Sequence, residues 1–60
     1  MARFRITYVD VAAGVDTVEA DEYVADDKWV MFSQLQPNGT VLTIFSVRSD
    51  KVMKIERMKP

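Results

Sequence analysis

The acidic residues are the main candidates for chemistry in this chain, because the sequence contains neither histidine nor cysteine. Without these two residue types, the commonest general base, thiol nucleophiles and most transition-metal ligands are missing. Carboxylates crowd one region instead, at Asp21, Glu22, Asp26 and Asp27. Their oxygens suit Ca²⁺ or Mg²⁺, but the spacing does not match an EF-hand loop. We interpret them as solvated turn residues and predict no metal and no cofactor.

Hydroxyl groups and glycines give no catalytic pattern either. The serines lack the flanking residues of a nucleophile elbow, and two glycines, Gly14 and Gly39, cannot build a phosphate-binding loop. No set of residues has assignable catalytic roles. The sequence therefore predicts a binding protein rather than an enzyme.

Basic and aromatic residues raise the possibility of nucleic-acid binding. Arg3 and Arg5 share one face of a predicted strand, and Lys28 precedes Trp29. Small β-sheets with such residues bind single strands by stacking bases and neutralising phosphates. An isoelectric point near 5.1 opposes this. Contact through Arg3, Arg5 and Lys28 is the alternative hypothesis.

Charge is strongly segregated along the chain. Residues 10–27 contain seven acidic and no basic residues, whereas residues 28–60 contain six basic and two acidic ones. Within this stretch, the acidic residues of the segment 16–27, on a predicted edge strand and loop, could imitate a phosphate backbone in a partner's basic groove. The plainer interpretation is that charges on an edge strand prevent unwanted strand pairing.

Trp29 and Met31 are the candidate protein interface. If Val30 and Phe32 point into the core, strand alternation sends Trp29 and Met31 to the opposite face. Trp and Met are enriched in interface cores, and a contiguous exposed apolar patch marks a contact surface. The competing interpretation is that a closed barrel, or a C-terminal helix, covers this face within the monomer.

Length makes self-association the expected source of extra stability. Sixty residues form one domain, here residues 1–60, with a thin core. Domains of this size usually add a disulfide, a metal or a partner chain, and the first is excluded. With no apolar segment typical of a signal peptide or a membrane span, we expect a cytoplasmic protein that forms homo-oligomers.

Hydrophobic alternation predicts strands along the chain. Phe4, Ile6 and Tyr8 face inward in the first strand, and the phase of the second slips near Asp21-Glu22, where we expect a bend. Asn38-Gly39 should centre a hairpin turn, because both residues tolerate positive φ. The predicted strands cover residues 3–11, 15–24, 28–36 and 40–47.

The last segment has two interpretations. Ser49 could cap a helix through residues 50–58, in which Val52, Ile55 and Met58 recur every three residues. Alternatively, residues 52–57 form a fifth strand after a tight turn at residues 48–50. The chain-wide period near two favours the strand.

The order of these segments resembles short uncharacterised proteins of actinobacteria and their phages. The resemblance is carried by a strand pattern, in Arg-Phe-Arg-Ile-Thr-Tyr near the N-terminus, residues 18–23, Trp29-Val30-Met31-Phe32, Asn38-Gly39 and residues 52–57. It implies an antiparallel meander and implies no activity or site.

The sequence as a whole predicts an all-β fold. We expect a small antiparallel meander of four to five strands, strongly twisted or a half-closed barrel, with a ββββα arrangement as the second possibility. The predicted function is a small non-enzymatic binding or regulatory module that acts through protein-protein contacts as a homo-oligomer. Nucleic-acid binding, or mimicry of nucleic acid by the acidic surface, is the alternative.

Overall fold

Six β-strands account for most of the chain in the computed structural model, which describes residues 2–59. Every strand pairing is antiparallel. Two short 3-10 helices, Val11–Ala13 and Ser49–Lys51, join strands. The strands are β1 (Ala2–Tyr8), β2 (Val15–Ala20), β3 (Glu22–Ala25), β4 (Trp29–Leu35), β5 (Val41–Arg48) and β6 (Val52–Met58).

The strands form two three-stranded sheets. Sheet A has the order β2-β1-β6 and sheet B the order β3-β4-β5. The chain passes from sheet A to sheet B at Asp21 and returns through the 3-10 helix Ser49–Lys51. The sheets do not join into a closed barrel. The all-β antiparallel prediction is confirmed.

The structure differs from the sequence prediction in the number of strands, and it decides between the two interpretations of the last segment. There are six strands because the expected bend falls at Asp21 and divides the run 15–24 into β2 and β3. The C-terminal segment is strand β6, paired with β1, so the helical alternative for residues 50–58 is wrong. Pairing with β1 places Ile55 opposite buried Ile6, which favours the strand over an isolated short helix.

The core lies between the two sheets. It consists of five buried apolar residues, Phe4, Ile6, Ala20, Val30 and Phe32. Aromatic rings extend this cluster: Tyr23 packs edge-to-face on Phe4, with ring centroids 5.3 Å apart. The inward positions predicted for β1 are confirmed, with Phe4 and Ile6 buried and Tyr8 partly buried against the cluster.

Each sheet carries one irregular pairing, between β4 and β5 in sheet B and between β1 and β6 in sheet A. In sheet B the register passes from Phe32–Phe45 to Ser33–Thr43, so Ile44 is an extra residue. In sheet A the pairs Thr7–Lys54 and Tyr8–Val52 leave Met53 extra in the same way. These bulges interrupt the period-two alternation that the sequence suggests.

The β4–β5 hairpin is confirmed, but its turn is centred one residue earlier than predicted. The amide of Gly39 donates to the carbonyl of Gln36 at 3.0 Å, which puts Pro37 and Asn38 at the centre. Within residues 2–59, positive φ occurs only at Gly14 and Gly39, at 76° and 87°. Asn38 instead accepts a hydrogen bond from the Thr40 amide at 3.1 Å through its side chain. Proline suits the first central position of such a turn, and glycine the residue that follows it.

Candidate protein-binding face

Strand alternation along β4 separates the core from an exposed apolar surface. Val30 and Phe32 are 3% and 0% exposed, whereas Trp29 is 42% exposed and Met31 is half-buried. Successive side chains of a strand point to opposite faces of the sheet. The predicted orientation of Trp29 and Met31 away from the core is therefore confirmed.

Neighbouring strands extend this surface across sheet B. Directly opposed residues of antiparallel strands share a face. Val24 and Ser46 flank Met31 on either side, and Arg48 lies opposite Trp29. Val24 is 56% exposed. We call the surface formed by Val24, Trp29, Met31, Ser46 and Arg48 the outer face.

Arg48 sits over the Trp29 ring, with its guanidinium carbon 5.5 Å from the ring centroid. At an exposed site such a cation–π contact contributes about 0.5–1 kcal/mol. The Arg48 Nε atom also lies 3.9 Å from an Asp50 carboxylate oxygen, at the limit of an ion pair. The Trp29 ring is thus held in place on the face. An ordered aromatic ring loses little side-chain entropy when a partner covers it.

Asp26 fixes the backbone at the start of β4. Its carboxylate accepts hydrogen bonds from the Trp29 amide at 2.7 Å and the Lys28 amide at 2.8 Å. These two bonds, the one from Trp29 first, hold the pKa of Asp26 below its ordinary value. Asp26 therefore positions Trp29. The signal in the sequence was an Asp two residues before Lys28, a spacing typical of local side-chain-to-backbone turns.

The predicted nucleic-acid contacts do not form one basic patch. Arg3 and Arg5 lie on the face of β1 opposite Phe4 and Ile6, in sheet A, whereas Lys28 lies in the β3–β4 loop. Both arginines are ion-paired, Arg3 with Glu19 and Arg5 with Glu56, each at 3.0 Å; the arginine holds the pKa of Glu56 below its ordinary value.

Several acidic residues of the segment 16–27 have structural partners. Asp16 accepts a hydrogen bond from the Tyr8 hydroxyl at 2.6 Å, and Asp21 accepts one from the Leu35 amide at 2.6 Å. Burial, and then the bond to Asp16, raise the pKa of Tyr8 to about 12. With Asp26, three of the acids hold strands and turns together.

The acidic and basic segments lie on different edge strands but meet at one point. In sheet A, β2 and β6 flank β1 on its two sides, and in sheet B, β3 and β5 flank β4. The contact is at Ser49, whose hydroxyl donates a hydrogen bond to the carbonyl of Asp26 at 2.8 Å.

An open cleft of about 580 Å³ lies where both 3-10 helices approach the end of β1. Its lining includes Tyr8, Asp10, Asp16, Val47 and Lys51. Asp10 accepts a hydrogen bond from the Ala12 amide at 3.0 Å, and Asp16 is bonded to Tyr8. Across residues 2–59 no three carboxylates come together as a metal site would require.

Comparison of the chain with protein-family models, with curated proteins and with solved structures finds no match. The resemblance to short actinobacterial and phage proteins therefore stays a prediction. Over residues 2–59 the chain forms no helix with the length and apolar character needed to cross a membrane.

Proposed function

We propose that the chain is a non-enzymatic protein-interaction or regulatory module that works as a homo-oligomer and makes contact through the outer face. The observation that carries the proposal is the exposed side of β4. Trp29 is 42% exposed and Val24 56% exposed on the side of the sheet that faces away from Phe32. Tryptophan and arginine are the residue types most enriched among those that dominate binding energy at protein interfaces.

The total surface of the chain also supports self-association. A folded monomer of 6.9 kDa is expected to expose about 4,000 Å². This chain exposes 4475 Å². The surplus of roughly 500 Å² is of the order of one partner's share of a standard interface, about 800 Å². A second copy that covers the outer face removes much of this surplus.

The small core makes such a contact useful for stability. Five buried apolar residues form the centre of the molecule, and a core of this size supplies about 3–5 kcal/mol. Covering an exposed apolar surface contributes about 25 cal/mol per Å² before the entropy of association is subtracted. Assembly therefore adds to a stability that is marginal for one chain.

Binding of nucleic acid is the weaker alternative. Arg3 and Arg5 already neutralise Glu19 and Glu56, and Lys28 lies in the other sheet's loop. Mimicry of nucleic acid is also less well supported, because Asp16, Asp21 and Asp26 have structural partners within the chain. A cytoplasmic site of action is part of the proposal and is supported by the absence of cysteine.

The test is the mass of the protein in solution after Trp29→Ser. Sedimentation over a hundredfold concentration range should show an oligomer for the parent chain and a shift toward monomer for the variant. Met53→Ser is the matched control, because Met53 is 62% exposed and lies in β6 of the other sheet. Equal masses for the parent and Trp29→Ser would contradict the proposal, as would an equal loss of mass in the control.

A further inference from the structure

Strand β5 presents an edge that differs from every other strand edge in the described part of the chain. Within residues 2–59 it pairs with β4 on one side and with no strand on the other. Residues 40–47 contain no charged residue, no proline and no glycine. An edge strand offers a row of backbone N–H and C=O groups to which another strand can add.

The other edges carry the charges that normally prevent strand addition. Strand β2 contains Asp16 and Glu19, and β3 has only four residues, including Glu22. Strand β6 contains Lys54, Glu56 and Arg57. Charged side chains, short strands and bulges are the usual protections of edges, and of these β5 has only the bulge at Ile44 between its two ends. In β5 the charge is confined to Arg48, the last residue of the strand.

The beginning of β5 also exposes apolar side chains on both faces of the sheet. Val41 and Leu42 are 56% and 52% exposed, and as neighbours on a strand they point to opposite sides. Sheet A therefore does not cover this end of the hairpin. Ile44, the extra residue of the bulge, is 39% exposed. Four consecutive residues, 41–44, face solvent along the edge.

From these observations we propose that β5 pairs antiparallel with β5 of a second copy, which joins two β3-β4-β5 sheets into one six-stranded sheet. A twofold axis near Ile44 sets residues 41–43 of each chain against residues 45–47 of the other. The bulge at Ile44 then lies at the centre, and the regularly paired parts of β5 lie on either side of it.

The absence of charge along β5 favours a second copy of this chain as the strand that pairs with it. Residues 41–47 are uncharged, so two copies of β5 can meet along this segment without removing charged side chains from water, whereas self-pairing of β2, β3 or β6 would bring charged side chains to the junction. With the axis at Ile44, the two Arg48 residues are eight strand positions apart, about 27 Å. That distance exceeds the Debye length of about 8 Å at physiological salt, so their repulsion is screened.

The inference rests on the proposed function only in that the partner is again a copy of this chain. The contact surface is the edge of β5 rather than the outer face. A twofold axis normal to the sheet keeps both outer faces on the same side. Edge pairing therefore leaves each Trp29 available for the contact proposed above. If both contacts form with perpendicular twofold axes, the assembly contains four chains.

The test places like charges at the proposed axis. Ile44→Lys should weaken assembly by roughly tenfold or more in dissociation constant, because two ammonium groups meet across the axis. Met53→Lys is the matched control, since Met53 is the exposed extra residue of the bulge in β6. It should leave the mass unchanged. Hydrogen exchange of the amides in residues 41–48 should become faster in Ile44→Lys alone.

A mixing experiment separates lost pairing from misfolding. Ile44→Lys and Ile44→Glu should each assemble poorly, and an equal mixture should regain the mass of the parent, because opposite charges then face each other. No recovery on mixing, or a parental mass for Ile44→Lys, would overturn the inference.

The two association surfaces can be told apart by their variants. If Trp29→Ser lowers the mass and Ile44→Lys does not, the edge inference fails and the proposed function stands. The reverse result rejects the outer face and supports the edge. A parent that is monomeric throughout, with rapidly exchanging amides in β5, contradicts both.

Discussion

Replacement of Gly39 tests the geometry of the β4–β5 turn directly. Gly39 has a φ of +87°, and no atom lies within 4 Å of the position that a Cβ would occupy. The Cβ of an alanine there meets no steric clash with the rest of the chain, so the effect of Gly39→Ala comes from the backbone conformation. The left-handed conformation costs an ordinary L-residue about 1–2 kcal/mol, and a strained position up to about 3 kcal/mol. Gly39→Ala should fall in the lower range and Gly39→Val near the upper end.

These losses are large for a chain of this size. A core that supplies about 3–5 kcal/mol leaves Gly39→Val partly unfolded at room temperature. Urea denaturation at one fixed protein concentration measures the change, since assembly makes the stability depend on concentration. Gly39→Asn is the matched control, because asparagine tolerates positive φ better than other residues. It should be more stable than Gly39→Ala.

Asn38 provides the comparison that could refute the turn geometry. Its φ is not positive, and its side chain accepts hydrogen bonds from the amide and hydroxyl of Thr40. Asn38→Ala should therefore lose about 0.5–1.5 kcal/mol, as expected for a hydrogen bond. If Asn38→Val destabilised the protein as much as Gly39→Val, or if Gly39→Val unfolded like the parent, the reasoning would be wrong.

Three further predictions concern the core, the pH dependence and the arginines. Phe32→Ala should lose about 3–5 kcal/mol, because Phe32 is fully buried, and circular dichroism should show an unfolded chain; near-parental stability would contradict the packing. The pKa of Tyr8 is raised to about 12, so the stability contributed by its protonated hydroxyl is complete below pH 10 and is lost as the pH rises from 10 to 12. The loss amounts to less than about 2.7 kcal/mol of unfolding free energy, and denaturation of Tyr8→Phe should not show it. Single-stranded DNA should bind more weakly than micromolar at about 150 mM salt, because Arg3 and Arg5 are ion-paired; submicromolar binding in a fluorescence titration would refute this.

Local alternation was sufficient to predict most of the strands and to divide the β4 side chains between two faces. It set Val30 and Phe32 on one face and Trp29 and Met31 on the other, and the packing between the two sheets decides that the first face is the core. The bend near Asp21 was visible as a slip between Ala20 and Tyr23.

Other features depend on contacts between distant residues and could not be predicted from the sequence. The bulges at Ile44 and Met53 arise from the register between strands, which local pattern does not fix. The ion pairs of Arg3 and Arg5 require that β2 and β6 lie on either side of β1. Asparagine does tolerate positive φ, which is why the sequence suggested Asn38 and Gly39 as the central residues of the turn. With Pro37 in the preceding position, the central residues are Pro37 and Asn38, one residue earlier.

The emission of Trp29 tests the central claim most directly, because it is the single tryptophan of the chain. In the isolated chain its side chain is 42% exposed. If a second copy covers the outer face, dilution over a hundredfold range should shift the emission to the red and increase quenching by acrylamide, in step with the fall in sedimentation mass. A monomer at every concentration with Trp29 already buried, or an oligomer whose Trp29 emission does not change on dissociation, would contradict the account.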